Sequence, residues 1–137
     1  MYQSTTQLRV RYSETDRMSY VYYGNYAQYF EVARVEALRT LGISYKEMEE
    51  EGVLLPVSEY KIKFIKPGFY DELLSIKTTI LKLPSVRIIF QYETYNEKNE
   101  LLNTAETILV FVNRASMKPC KAPLHILEKL DPFFLDL

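Results

Sequence analysis

The stretch Val10–Arg39, VRYSETDRMSYVYYGNYAQYFEVARVEALR, decides how the chain is read, because a strand pattern gives way there to a polar loop and then to a long amphipathic helix. Asn25 suits a helix N-cap, and Gln28, three residues on, can reach back in a capping box, so the helix is expected to start near Tyr26. Tyr26, Tyr29, Phe30, Ala33, Ala37 and Leu41 recur at three- and four-residue spacing and form an apolar stripe. Gln28, Glu31, Arg34, Glu36 and Arg39 fall mostly off it, and Gly42 supplies a left-handed C′ residue. This is a helix built to be buried on one side. The segment before it, Ser13–Ser19, is polar, and its Asp16 lies close in sequence to the positive end of the helix. Such an end offers free N–H groups to an anion or a developing oxyanion.

At 137 residues the chain has the length of one domain, and 47% hydrophobic with 26% charged residues is an ordinary globular balance. A formal net charge of −1, with basic residues spread out, gives no reason to expect nucleic acid as a partner. The N-terminal MYQSTTQLRVRYSE lacks the apolar core of a signal peptide, and no apolar run approaches the roughly 18 residues of a membrane span. A cytoplasmic protein is expected. The lone cysteine, Cys120, has no internal disulfide partner, which fits a reducing compartment. With 12 Tyr, 7 Phe and no Trp, the core or an interface is aromatic.

Outside the opening stretch the pattern is mostly one of strands. Gln7–Tyr12 alternates, with Leu8, Val10 and Tyr12 on one face. Ser44 and Glu47 make a capping box for a short helix over Tyr45–Glu51 that Gly52 ends. Val57–Phe64 alternates and is closed by a Pro67-Gly68 turn; Leu74, Ile76 and Ile80 continue the alternation, and its slip at Leu81 and Leu83 predicts a bulge. Val86–Tyr95 is a strand, Asn96–Asn99 a hairpin loop, and Leu101–Val112 a last strand, apolar on both faces near its end. Pro123 opens a helix over Leu124–Leu130, followed by an apolar tail within a terminal segment of about 123–137. Four strands joined by short turns predict antiparallel neighbours, and the long helix must lie against one face of a sheet that curls around it. The class is α+β, and residues 1–137 form a single domain.

This order, together with Asp-x-x-x-x-Val-Tyr-Tyr-x-Asn-Tyr (Asp16 to Tyr26) and Phe-Glu-x-x-Arg (Phe30 to Arg34), resembles the hotdog-fold acyl-CoA thioesterases, specifically the 4-hydroxybenzoyl-CoA thioesterase-like branch. The resemblance extends to VSEYKIKFIKPGFYDELLSIKT and LLNTAETILVFVN, from Leu8 to about Pro123. It implies a curled antiparallel sheet around one central helix, and hydrolysis of acyl-CoA to free acid and CoA. It also implies a homodimer or homotetramer with the site between subunits. Carried over by position, Asp16 matches the catalytic carboxylate, and Tyr23 matches the residue whose backbone N–H polarises the thioester carbonyl. Two positions depart from the pattern: Ser19 stands where Gly is usual, and Tyr23 stands where one short-chain subgroup has His.

A thioester needs no metal; it needs a base or nucleophile and a donor for the oxyanion. The only histidine, His125, and the only cysteine lie far along the chain from the loop, which argues against Ser-His or Cys-His catalysis. Asp16 is left, as general base toward water or as nucleophile, with the amides of Tyr23 and Gly24 as oxyanion donors. The structural alternative for Asp16 is a turn residue that binds its own loop. Glu14 is expected to cap the loop or pair with an arginine, and Glu31 with Arg34 to form a surface ion pair. Coenzyme A enters as part of the substrate, with no separate cofactor and no metal, and its phosphates call for basic residues at a rim, of which Arg87 and Lys118 are the candidates. The alternatives are a thioesterase acting on acyl carrier protein and a non-catalytic acyl-CoA- or protein-binding module.

Overall fold

A helix with one apolar stripe has to find a sheet, and it does. In the computed structural model, which describes residues 1–135, α1 (Asn25–Arg39) lies against a five-stranded antiparallel sheet. In chain order the other elements are β1 (Tyr2–Arg9), α2 (Tyr45–Glu50), β2 (Val53–Leu54), β3 (Val57–Phe64) and β4 (Leu73–Ile80). There follow β5 (Arg87–Tyr95), β6 (Leu101–Val110), β7 (Val112–Asn113), β8 (Lys118–Pro119) and α3 (Leu124–Leu130). The main sheet has the order β1-β4-β5-β6-β3, and β2, β7 and β8 form a small second sheet. This is the α+β hotdog arrangement that the resemblance implied.

The stripe is buried as its spacing requires. Tyr26, Tyr29, Phe30, Ala33 and Ala37 are all enclosed, Leu38 joins them, and Leu41 is half-buried. They meet Leu74, Ile76 and Ile80 of β4, Ile88, Phe90 and Tyr92 of β5, and Leu109 of β6 in one core. Phe30 stacks on Tyr92 with ring centroids 4.5 Å apart and planes inclined by 25°. Gly42 ends the helix at φ +80°, with its own N–H bonded to the Arg39 carbonyl and that of Ile43 to Leu38, a Schellman closure. Ser44 caps α2 as expected, its Oγ accepting from the Glu47 N–H.

Several expectations are corrected. Asn25 is not the cap of α1: it is already helical, Gly24 precedes it as N-cap, and the Asn25 side chain donates instead to the Glu14 carbonyl at 2.8 Å. The first strand is Tyr2–Arg9, paired from Tyr2 with Ile80 to Arg9 with Leu73, and Tyr12 opens a 3₁₀ turn with its ring exposed. The polar run Gln3–Gln7 hid this strand, since its side chains sit on an edge where no strict apolar alternation is needed. No bulge follows Ile80: the β4 ladder simply ends, and Leu81 and Leu83 are exposed. The register shifts lie at Val57/Glu59 and Thr94/Tyr95 instead. β6 stops at Val110, because the Phe111 N–H turns to the Val86 carbonyl and the chain enters the second sheet.

The largest correction concerns β3 and β4, which are not neighbours. Residues 65–72 are a crossing segment from the β3 edge to β4, which lies between β1 and β5, rather than a hairpin turn. Its backbone is satisfied on the way: the N–H groups of Ile65 and Lys66 donate to the Leu102 carbonyl, the Val21 N–H donates to the Gly68 carbonyl, and the Asp71 N–H donates to the Val10 carbonyl. As a result β3 is an edge strand whose apolar side is open, with Tyr60 37% and Phe64 50% exposed.

Because Phe30 has no exposed surface, Phe30→Ala should lower the unfolding free energy by about 3–5 kcal/mol in urea titration. Val32→Ala, at an exposed position of the same helix, should stay within about 0.5 kcal/mol of the parent.

Candidate active site

Between β1 and α1 the chain makes two tight closures. Tyr12–Glu14 is a 3₁₀ turn, and Glu14, only 8% exposed, is its anchor. Its carboxylate accepts from the Arg11 N–H (2.8 Å), from the Arg11 guanidinium (3.1 Å) and from the Tyr29 hydroxyl (2.9 Å). Its carbonyl accepts from the Tyr22 N–H and the Asn25 side chain, both at 2.8 Å. Glu14 thus caps the loop and pairs with an arginine, as expected, while also holding the first turn of α1 in place. Burial works to raise its pKa, but the Arg11 amide and guanidinium and the Tyr29 hydroxyl outweigh it, and the carboxyl is held below its ordinary range. The same carboxylate and burial push the Tyr29 hydroxyl up.

The second closure belongs to Asp16. Its N–H donates to the Tyr20 carbonyl (2.8 Å), and its carbonyl accepts from the Ser19 N–H (3.0 Å). Its Oδ1 accepts from the N–H groups of Met18 (2.8 Å) and Tyr20 (3.2 Å), so one oxygen builds the turn and Oδ2 accepts no hydrogen bond among the described residues. Ser19 holds φ +65°, the left-handed conformation suited to the glycine usual there. Bridges between Thr15 and Val21 and between Tyr20 and Phe69 pinch the loop against the crossing segment.

Asp16 and Tyr23 come together on one cleft of about 440 Å³, whose other walls are Tyr20, Val21, Tyr26, Phe64, Ile65, Lys66 and Pro67. The N–H groups of Tyr23 and Gly24 donate to no backbone acceptor among the described residues, and both precede the first turn of α1. Asp16 and Tyr23, the latter just before the helix start, therefore border one mostly apolar cleft that Gly24 does not line, an arrangement suited to attack on a carbonyl with stabilisation of its oxyanion. Tyr26 also lines the cleft, and burial pushes its hydroxyl up to about 12, so it stays neutral. A larger depression of about 580 Å³ lies on the opposite, polar face of the sheet among Lys61, Lys63, Glu93 and Glu106, and no part of the Asp16 loop borders it.

Within one chain Arg87, at the start of β5, and Lys118, in β8, do not line the Asp16 cleft. The basic residue that does is Lys66, ion-paired with Glu100. It was missed because Pro67-Gly68 reads as a hairpin turn, which would carry Lys66 away from the loop. The expected Glu31–Arg34 surface pair is absent among the described residues, since Arg34 is 7% exposed. The reason is its spacing: four residues beyond Phe30, it shares the buried stripe.

The model of the thioesterase-like superfamily matches residues 10–130. The chain belongs to this superfamily. It is 32% identical over 122 residues to the acyl-CoA thioester hydrolase YbgC of Escherichia coli O6:H1, covering 89% of this chain and 91% of that protein. A DHNA-CoA thioesterase structure from Staphylococcus aureus superposes with a TM-score of 0.85 at 38% identity, covering 98% of this chain and 85% of that one. A 4-hydroxybenzoyl-CoA thioesterase complex gives 0.84 at 19% identity over 94% of this chain and 99% of that one, a likeness of fold alone.

The depressed pKa of Glu14 has a definite sign for stability. Its contribution is complete above the unfolded carboxylate value and is lost as pH falls through the lower folded value. Denaturation followed from pH 7 downward should show Glu14→Gln less stable than the parent at neutral pH and the gap between them shrinking in acid. A gap that stays constant with pH would mean that the charge of Glu14 does not stabilise the loop.

Proposed function

We propose that the chain is an acyl-CoA thioesterase that hydrolyses its substrate to a free acid and CoA at the Asp16 cleft. The observation that carries this reading is the shared border of that cleft: Asp16 lines it together with Tyr23, whose N–H before α1 donates to no backbone acceptor among the described residues. The acyl-CoA chemistry in the names of its relatives supports the same reading.

The thioester carbonyl would accept from the Tyr23 N–H, assisted by Gly24, with the positive end of the helix dipole behind both. Asp16 then acts through its free oxygen. As a general base it takes a proton from water, whose oxygen adds to the carbonyl carbon. As a nucleophile it forms an anhydride that water opens. In either route the carbon–sulfur bond breaks, CoA leaves as thiolate or thiol, and the acid remains. Lys66 would meet the charged CoA portion at the rim, and any role of Arg87 or Lys118 would come from a second subunit. No metal or further cofactor takes part in this scheme.

The active form in this proposal is a homodimer. The outer edge of β3 pairs with no other strand among the described residues and presents Val57, Tyr60 and Phe64, an apolar border that a second copy would cover. A homotetramer would need another contact, for which Ile89, Ile108 and Val110, half-buried on β5 and β6, offer the apolar patch. No helix among the described residues is long and apolar enough to cross a membrane, and the proposed setting is the cytoplasm.

Asp16→Asn retains the shape of the turn but removes base and nucleophile, so acyl-CoA turnover, followed by thiol release, should fall by about 10²–10⁴. Tyr23→Phe keeps the backbone amide and should retain most activity; a loss approaching 10²–10³, roughly what one oxyanion donor supplies, would show the phenol itself at work. Hydrolysis restricted to acyl groups on carrier protein would move the substrate class. Acyl-CoA binding without thiol release would sink the enzyme reading. Sedimentation at micromolar concentration should report a dimer or tetramer, and a monomer with full activity would remove the subunit interface from the site.

A further inference from the structure

Arg34 is a buried cation without an anion. It is 7% exposed, its Nε has no hydrogen-bond partner, and no ion pair among the described residues includes it. Nearest to it stand the Tyr45 hydroxyl, also without a partner, and the Tyr92 hydroxyl, engaged with Thr107 Oγ1 at 2.6 Å, while Glu31 borders a cavity shared with it but does not pair with it. Beside it a cavity of about 280 Å³ opens between α1 and β3, bordered by Arg34, Glu31, Tyr60 and Thr107. Burying a guanidinium in such surroundings is costly unless something supplies an acceptor.

That cavity and the Asp16 cleft share no lining residue, and a row of rings lies between them. Tyr26 meets Phe64 at 5.9 Å and Phe30 meets Tyr60 at 6.1 Å, so a line of aromatic contacts follows α1 along β3 from one to the other. Tyr23 and Arg34 are eleven residues apart, or about 16 Å of helix at 1.5 Å per residue. A long helical side chain leans back about one turn toward the N-terminus, which leaves roughly 11 Å between the Tyr23 amide and the guanidinium. At roughly 1.2 Å of advance per bond, an extended chain of about nine bonds covers that distance.

We infer that the far end of the acyl site is the Arg34 cavity, and that Arg34 selects acyl groups bearing an oxygen acceptor at the end remote from the thioester. The inference rests on the thioesterase reading of the Asp16 cleft. The planar fork of Arg34 suits a carboxylate or a hydroxyl oxygen, whereas a plain hydrocarbon end would leave the buried charge uncompensated. Glu31, on the exposed border of the same cavity, would accept from a hydroxyl and repel a carboxylate.

Three thioesters of equal length separate these cases: octanoyl-CoA, 8-hydroxyoctanoyl-CoA and the CoA monothioester of the eight-carbon dicarboxylic acid. The intact protein should favour at least one oxygenated substrate over octanoyl-CoA by about ten- to hundredfold in kcat/KM, the scale of one hydrogen bond to a charged group. In Arg34→Met that ratio should collapse toward one, whatever happens to the individual rates, and Arg34→Lys should retain part of it for the carboxylate. A merely structural arginine would lower all three rates together and leave the ratio untouched. Should Arg34→Met not fold, Arg34→Gln gives the same reading of the ratio. A parent ratio near one, or a ratio unchanged in the variant, overturns the inference; a variant that also dissociates would assign Arg34 to the contact between copies. The two proposals fail separately: octanoyl-CoA cleavage that survives Asp16→Asn removes the thioesterase assignment of the cleft, while Asp16-dependent cleavage without an Arg34-dependent ratio removes only the selectivity.

Discussion

The burial of one stripe of α1 in the sheet is the constraint from which the remaining architecture follows. Phe30 stacks on Tyr92 in the middle of the sheet, while the small side chains of Ala33 and Ala37 let the helix approach closely enough for the Tyr2 hydroxyl to donate to the Ala37 carbonyl at 2.7 Å. The helix is therefore held along its length from both the centre of the sheet and the β1 edge. Its first amides come to rest at the Asp16 cleft because the rest of the helix has no other depth at which to sit.

Holding the helix still leaves the loop before it to be folded, and two acidic residues divide that work. Glu14 is buried and ties β1, the loop and α1 through six hydrogen bonds to its carboxylate and carbonyl. Asp16 is exposed, and the two roles available to it do not compete: Oδ1 accepts the bonds that make the turn, while the other oxygen is left for chemistry. The left-handed Ser19 belongs to the same arrangement. A backbone conformation that costs an L residue about 1–2 kcal/mol is retained where it turns the chain back past the carboxylate.

Local chemistry was the legible part of this fold. The bounds of Val57–Phe64, the Ser44 cap, the Gly42 terminus and the helix opened by Pro123 all depend on residues within a few positions of one another, and they stand where their spacing puts them. Pairing across the sheet was not legible, because a Pro-Gly pair marks a change of direction without saying which strand is met next. That is why β3 was expected beside β4, and why Lys66, Phe64 and Ile65 were not placed on the cleft. Arg34 shows a different limit: its spacing put it on the buried stripe and its charge argued for the surface, and spacing won. Asp16 and Tyr23 share a cleft as the motif implied, but only the fold reveals that Asn25 serves Glu14 rather than the helix end.

The crossing of the chain from β3 to β4 also governs when the sheet can close. β1 pairs with β4, so residues 2–9 have no neighbour until residues 73–80 exist, and β3 has none until β6 has been made. At a synthesis rate of about 5–20 residues per second, β1 waits roughly 4–14 s for its partner, with the aromatic stripe of α1 uncovered meanwhile. The three central strands, by contrast, are joined by short connections and close large loops only when the outer strands arrive. On the ribosome, then, the strand made first waits longest for its partner, and the half of the chain that carries the Asp16 loop stays without its full sheet until most of the second half has emerged.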